Sequence, residues 1–144
     1  MTDIAFHFNA PDKLAYACRF ARKALRHGAR LVIVGPEAVL QPLDGMLWNL
    51  QPQDFVAHCR GDAAPELLQA SPIVLVTAVA QAPHHEVLLN LGAVIPDGFE
   101  RFARVVEVVS AEDAEDRHLA RARWRRYAAL GYDIVRHDLV LRGE

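Results

Sequence analysis

A row of arginines beside a tryptophan, near the end of the chain, is the segment best suited to bind a ligand. A long helix is predicted from Ala111 to Leu130, with Ser110 as its N-cap. Its first turns carry four acidic residues, and the following turns carry five arginines: Glu112, Asp113, Glu115 and Asp116, then Arg117, Arg121, Arg123, Arg125 and Arg126. At 100° per residue Arg117, Arg121 and Arg125 form one stripe, and Trp124 lies at its edge. This pattern predicts a site for an acidic peptide that carries a carboxylate and an apolar anchor.

Two other interpretations of the same helix stay open. The arginines could form a phosphate-binding stripe for nucleic acid. They could also be a solvated charged face, because acids are favoured at the start of a helix and bases at its end. In that case Asp113 would pair with Arg117, and Asp116 with His118. We expect Leu119, Ala120, Tyr127 and Leu130 to face the sheet.

A second cluster of large apolar residues lies in the middle of the chain. Leu47-Trp48 comes near the end of a predicted helix, and Phe55-Val56 begins a predicted short strand at residues 55–58. Such residues commonly belong to the core. The functional alternative is a contact patch for a protein partner, since aromatic residues are enriched in interfaces.

Few residues point to catalysis or to a cofactor. The turn after the first predicted strand, Asn9-Ala10-Pro11-Asp12, lacks the glycines that a dinucleotide requires, and no GxxxxGK[ST] motif occurs. His84-His85-Glu86 and His58-Cys59 are the local groups of possible metal ligands or nucleophiles. Their members are adjacent in the chain, so they are not expected to converge on one ligand. We expect no metal, no cofactor and a core position for Cys18.

Composition excludes several classes of protein. The chain has 144 residues, 52% of them hydrophobic, and a formal net charge of -2, which argues against a protein that coats DNA by bulk charge. A single domain over residues 1–144 is expected from this length. No apolar run approaches a membrane span, and two cysteines are too few for a disulfide framework. Met1-Thr2-Asp3-Ile4 has neither the basic nor the apolar region of a secretory signal, so we expect none. A cytoplasmic protein is expected.

The order of predicted elements favours an α/β fold. Strands at residues 4–8, 31–34, 73–77, 87–91, 104–109 and 132–139 alternate with helices at residues 12–27, 36–48 and 111–130. Two of these strands, Leu31–Val34 and Ile73–Thr77, are unbroken apolar runs typical of strands buried on both faces. A mostly parallel sheet with helices on both faces follows. We also expect a break or kink in the second helix at Pro42 and Gly45, a loop over residues 60–71 with a possible helical turn at Pro65–Leu68, and a frayed tail at residues 140–144.

The residues, taken in order, resemble the chi subunit family of bacterial DNA polymerase III. The resemblance runs nearly end to end. It rests on these segments: Phe6-His7-Phe8, Cys18 with Lys23-Ala24, Gly28 to Val34, Leu47-Trp48, Phe55-Val56-Ala57-His58 (where the family often has Pro at residue 57), Leu89-Asn90-Leu91, Phe99-Glu100-Arg101-Phe102, Val106-Glu107-Val108-Val109, and Ala120 to Tyr127 before Gly131.

This resemblance implies a three-layer, Rossmann-like α/β fold and an accessory subunit of the polymerase holoenzyme without a catalytic centre of its own. It implies two partners: a psi subunit, and the acidic C-terminal tail of single-stranded DNA-binding protein. The tail would contact Arg117, Arg121, Trp124 and Arg125, with Arg121 on a carboxylate, and Trp124 stands where the family often has Tyr. Leu47, Trp48 and Phe55 would contact psi.

DNA would then be reached mainly through the protein partners. A direct single-stranded or primer-junction DNA-binding module on the same basic helix remains the alternative. A small-molecule enzyme on a Rossmann-like scaffold is a third hypothesis, which the missing glycine loop disfavours.

Overall fold

Strands and helices alternate along the chain, as the apolar pattern predicts. A computed structural model describes residues 1–49 and 57–140. The strands are β1 (Asp3–Ala10), β2 (Leu31–Val34), β3 (His58–Arg60), β4 (Ile73–Val76), β5 (Val87–Asn90), β6 (Arg104–Ser110) and β7 (Ile134–Asp138). The helices are α1 (Lys13–Arg26), α2 (Glu37–Trp48), α3 (Pro65–Ala70) and α4 (Ala114–Ala129), with 3₁₀ turns at Val79–Gln81 and Phe99–Arg101.

The seven described strands form one sheet in the order β3-β4-β2-β5-β6-β1-β7. Each pair of neighbouring strands is parallel, which confirms the α/β class and sharpens the expected mostly parallel sheet to a fully parallel one. The residues of β2, β4 and β5 are all buried. These strands have helices or connections on both faces, so neither face needs polar residues, and the unbroken apolar runs follow from that position.

Two helical layers enclose the sheet. Helices α1 and α2 pack on one face, here called the α1 face, through a cluster that includes Ala17, Ala21 and Leu40. Helix α4 packs on the other, the α4 face, together with a residue of α3, through a cluster that includes Ala120 and Tyr127. Cys18 lies in the first cluster, which confirms its predicted core position. Within the described part of the chain, no helix is both long enough and apolar enough to cross a membrane.

The start of α4 differs from the prediction. Asp113, not Ser110, is the N-cap, and its carboxylate accepts the backbone N–H groups of Glu115 and Asp116. Ser110 stabilises the preceding turn, where its hydroxyl accepts the N–H groups of Glu112 and Asp113. Both residue types cap helices well, so their identity alone does not choose between them. At the other end Leu130 is 44% exposed, and its predicted place against the sheet is wrong.

The middle of the chain also differs in detail. Helix α2 runs unbroken through Pro42 and Gly45, so the predicted break is absent. The third strand begins at His58 and extends to Arg60, later than predicted. Phe55 and Val56 lie outside the described residues, as do residues 141–144 of the predicted frayed tail. The helical turn predicted at Pro65–Leu68 within the loop is confirmed, and it extends to Ala70 as α3, with Pro65 at its start.

A buried polar cluster fixes α4 on the sheet. Glu107 of β6 is fully buried, and its carboxylate accepts hydrogen bonds from Arg123 Nε (2.9 Å), Tyr127 Oη (2.8 Å) and Asn90 Nδ2 (3.0 Å). Arg123 is only 3% exposed, and its Nη1 donates to the carbonyl of Ala93 at 3.0 Å. Three residues, one from β5 and two from α4, therefore satisfy the buried carboxylate of β6.

Burial and charge act in opposite directions in this cluster. Burial raises the pKa of the Glu107 carboxyl, while the Arg123 guanidinium and the donors from Asn90 and Tyr127 lower it. Burial and the adjacent carboxylate raise the pKa of Tyr127, so its phenol stays protonated and donates. The cluster is stable only when all partners are present, because an unpaired buried charge is costly.

Replacing Arg123 tests this dependence. Arg123→Ala should lower the free energy of unfolding by about 3–5 kcal/mol, because it leaves the Glu107 carboxylate buried without its cation. Arg126→Ala, at an exposed position of the same helix, should change it by less than about 0.5 kcal/mol. Urea denaturation followed by circular dichroism measures both. Equal stability of the two variants would show that the buried pair does not hold α4.

Candidate functional site

Three strands and α4 enclose a concavity of about 450 Å³ on the α4 face, here called the arginine groove. Apolar side chains contributed by β1, β6 and α4 line it: Phe6, Phe8, Val109, Ala120 and Trp124. Four guanidinium groups also line it: those of Arg117, Arg121, Arg125 and Arg136. Asn9 and Ser110 complete the lining at the carboxyl ends of β1 and β6. The structure thus brings together the four residues that the sequence predicts for a peptide tail.

The apolar part of the groove follows from the alternation of β1. Successive side chains of a strand point to opposite faces, so Phe6 and Phe8 share the α4 face. The ring of Phe6 lies 5.0 Å from that of Trp124, at 58°. This tilted contact holds Trp124 half-buried at the border between the core and the arginines. An apolar group of a ligand therefore finds an aromatic wall there.

Arg136 is a groove residue that the sequence prediction missed. It lies on β7, and its guanidinium carbon is 5.0 Å from the ring centre of Phe8 and 5.9 Å from that of Trp124. A cation over two aromatic faces is held in place by their electron density. The alternation of side chains along β7 could have revealed it. Arg136 lies two residues after Ile134, so both are on the same face, and Ile134 packs against the core of the α4 face. The pairing of β7 with β1 brings Arg136 to Phe6.

The groove carries more positive charge than the sequence of α4 implies. Among the described residues no carboxylate pairs with Arg121, Arg125 or Arg136, and Arg117 donates to the backbone carbonyl of Ala111. Two of the acids at the start of α4 have other partners. Asp113 caps the helix rather than pairing with Arg117, and Asp116 binds other groups rather than His118. Four cations around an apolar wall form an anion site with room for an apolar side chain.

Arg123 does not belong to this surface. The sequence counts it among five positive charges, but it lies in the core and is paired with Glu107. Its position three residues after Ala120 and four before Tyr127, both buried, was the available signal. The basic surface of α4 therefore consists of the exposed arginines only: Arg117, Arg121, Arg125 and Arg126.

The second predicted patch is only partly on the surface. Trp48 is 53% exposed at the end of α2, and its ring lies 4.6 Å from that of His58. Leu47 is fully buried in the core of the α1 face, so its side chain offers no surface to a partner, and its predicted contact with psi is wrong. Phe55 lies outside the described residues. Of the predicted residues that the structure describes, Trp48 is therefore the one whose side chain a partner can contact.

The two patches lie at opposite edges of the sheet. Trp48 contacts β3, the first strand in the order, whereas the arginine groove includes Arg136 of β7, the last. Six strand spacings of about 4.8 Å put these edges about 29 Å apart. The width of the sheet therefore separates the two patches.

The residues considered as nucleophiles or metal ligands either contact other groups of the protein or lie apart from one another. His58 Nε2 lies 2.7 Å from Asp44 Oδ1 on the α1 face, while Cys59 packs in the cluster of the α4 face, so they do not form a nucleophile and base. His84 Nε2 lies 3.2 Å from the carbonyl of Ser71, and burial lowers the pKa of His84. No group of three or more metal-binding side chains occurs in residues 1–49 and 57–140.

An ion pair also spans the place where parallel sheets commonly bind small ligands. Such ligands enter between neighbouring strands whose following helices go to opposite faces. Strands β1 and β6 are such neighbours, and there Lys13 Nζ of α1 lies 2.8 Å from Asp116 Oδ1 of α4. The other oxygen of Asp116 accepts the N–H of Ser110 at 2.8 Å. The crevice is thus bridged by side chains of the protein itself.

Comparisons with known proteins agree on one family. The model of the family described as DNA polymerase III chi subunit, HolC, matches residues 1–135. A protein of Pseudomonas aeruginosa named DNA polymerase III subunit chi is 33% identical over 128 residues, which cover 88% of this chain and 87% of that protein. A protein of Haemophilus influenzae with the same name is 27% identical over 120 residues, which cover 82% and 81%.

The fold also has a match among solved structures. The C-terminal domain of the DEAD-box protein Dbp5 superposes with a TM-score of 0.58 at 13% identity. The superposition covers 96% of this chain and 90% of that one. At this identity the likeness concerns the α/β architecture alone.

The burial of both cysteines can be tested by their reactivity. Cys18 and Cys59 are buried, and burial raises the pKa of the Cys18 thiol, so neither should react in the folded protein. We expect a thiol-specific reagent to modify both at once in urea and neither on the same timescale in buffer, as measured by mass spectrometry. Rapid modification of Cys59 in the folded chain would reveal an accessible thiolate and reopen an enzymatic role.

Proposed function

The chain belongs to the DNA polymerase III chi subunit family, and from that premise we propose that it is a non-catalytic adaptor of the replicative polymerase. In this role it binds the acidic C-terminal tail of single-stranded DNA-binding protein in the arginine groove. It binds a psi subunit through the patch that contains Trp48. Any polymerase activity belongs to the assembled holoenzyme, which acts in the cytoplasm.

The observation that carries this proposal is the combination of charge and shape in the arginine groove. Arg121, Arg125 and Arg136 have no carboxylate partner among the described residues, and they surround an aromatic wall. A peptide that ends in an apolar residue can place that side chain against Trp124. Its terminal carboxylate and acidic side chains then lie within reach of the guanidinium groups, which bind carboxylates in a bidentate manner.

The groove suits the end of a peptide better than a continuous strand of DNA. Phosphates that followed α4 past the arginines would meet Glu112 and Glu115, which are exposed in and before the first turn. Like charges at that point oppose a long polyanion, whereas a peptide tail ends inside the groove. This repulsion between the two carboxylates and the phosphates disfavours DNA relative to a peptide.

The adaptor role depends on the separation of the two patches. Because β3 and β7 are at opposite edges, a partner on Trp48 leaves the arginine groove open. A half-exposed tryptophan at the end of a helix is the kind of residue that contributes most to a protein interface. One chain would thereby connect two proteins that need not touch each other.

Arg121→Ala tests the tail site. A peptide ending Asp-Asp-Asp-Ile-Pro-Phe should bind the wild-type chain, and the substitution should weaken it by about 1.5–3 kcal/mol, because a charge-assisted hydrogen bond is lost. Isothermal titration calorimetry gives both affinities. Arg126→Ala on the same helix lies outside the groove and serves as the matched control, with unchanged affinity expected.

A peptide with an amidated C-terminus should bind more weakly than the free acid, since its terminal charge is removed. Unchanged affinity of Arg121→Ala for the peptide would contradict the tail site. If the same substitution weakened oligothymidylate more than the peptide, direct DNA binding by α4 would replace the proposal.

Trp48→Ala tests the other patch. The variant should lose co-purification with psi while keeping its peptide affinity, because Trp48 is exposed and remote from the groove. Leu67→Ala, at an exposed apolar residue of α3, is the control and should retain psi. Loss of peptide binding and psi together would instead show that Trp48 supports the fold.

A further inference from the structure

A second basic surface lies on the opposite side of the sheet, on α1. Residues 13–36 contain six lysines and arginines and no aspartate or glutamate. The six are Lys13, Arg19, Arg22, Lys23, Arg26 and Arg30. In a chain whose net charge is -2, this is a marked segregation of charge. This segregation does not involve the arginines of α4, although Lys13 pairs with Asp116 of α4.

Part of this basic segment lines a concavity of about 430 Å³ between α1 and the strands, here called the α1 groove. Arg19, Lys23 and Arg26 follow one another at spacings of four and three residues, so they share one side of the helix. Arg104, at the start of β6, lines the groove too. No aspartate or glutamate of the described residues is among its lining.

Ordinary helix design explains only part of this pattern. Cations near the end of a helix are favoured by its dipole, which accounts for Lys23 and Arg26 in the last turn. Like charges four residues apart, as in Arg19 and Lys23, destabilise a helix, and a solvated face usually includes acids that relieve them. In the described part of the chain, no carboxylate pairs with Arg19, Lys23 or Arg26. An external polyanion would supply the missing negative charge.

We propose that the α1 groove binds the phosphates of single-stranded nucleic acid. Arg19 and Arg26 are seven residues apart, or about 10 Å along the helix, so the cations form a row rather than a ring. A row fits a repeating phosphate backbone. The half-buried ring of Phe20 also lines the groove and provides a surface for a base.

A lipid surface fits this face less well. Membrane-binding helices place large apolar side chains beside their cations. None of the strongly exposed large apolar residues in the described part of the chain lies on α1. The arginine groove is on the other face of the sheet, so nucleic acid in the α1 groove would leave the peptide site free.

The salt dependence of binding tests this proposal. Fluorescence anisotropy would follow a labelled oligothymidylate of about 20 nucleotides on the full chain and on the triple variant Arg19→Ala, Lys23→Ala, Arg26→Ala. Raising salt from about 50 to about 200 mM should weaken wild-type binding about 20-fold more than variant binding, because three phosphate contacts are lost. The charge-preserving variant Arg19→Lys, Arg26→Lys should keep the wild-type salt dependence.

Four further outcomes decide the assignment. The triple variant should retain wild-type affinity for the acidic peptide, which separates this site from the arginine groove and shows that the variant is folded. No detectable binding of oligothymidylate to the wild-type chain at the lower salt would overturn the proposal. So would an equal loss of salt dependence in Arg117→Ala, Arg121→Ala, Arg125→Ala, or competition by polyglutamate as effective as that by oligothymidylate.

Discussion

A buried carboxylate, Glu107, constrains the rest of the structure. A charge inside a protein must be compensated, and here Arg123 and Tyr127 of α4 provide most of the compensation. With Arg123 directed into the sheet, the rotation of α4 about its axis is fixed. Residues two positions away point about 160–200° from Arg123, so Arg121 and Arg125 are directed to the outer side. The surface chemistry of the helix thus depends on one pair in the core.

Strand order then decides what meets those arginines. Strand β1 pairs with both β6 and β7, so its two phenylalanines lie beneath Trp124, and Arg136 of β7 joins the same site. The groove is therefore a product of three strands and one helix that are separated in the sequence. Its cations are held at an aromatic wall rather than spread along a solvated helix, which favours a ligand with both a carboxylate and an apolar group.

The near-neutral net charge conceals a division of charge between surfaces. Two acidic residues at the start of α4 bind groups of the protein itself. Asp113 caps the helix, and Asp116 pairs with Lys13 and accepts the N–H of Ser110. The exposed arginines that follow, Arg117, Arg121, Arg125 and Arg126, have no carboxylate partner among the described residues, and α1 carries a second positive surface on the opposite face. A total of -2 therefore excludes a protein that is basic overall, but not one with local anion sites.

The sequence by itself determined the α/β class, because a strand with helices on both faces must be apolar throughout, as β2 and β4 are. It also determined the stripe of Arg117, Arg121 and Arg125 with Trp124, since helical periodicity is local. The tertiary structure alone decided that Leu47 is buried beside the exposed Trp48. It alone placed Arg123 in the core, through its partner Glu107, and Arg136 in the groove. These outcomes rest on contacts between residues far apart in the chain, which no local pattern records.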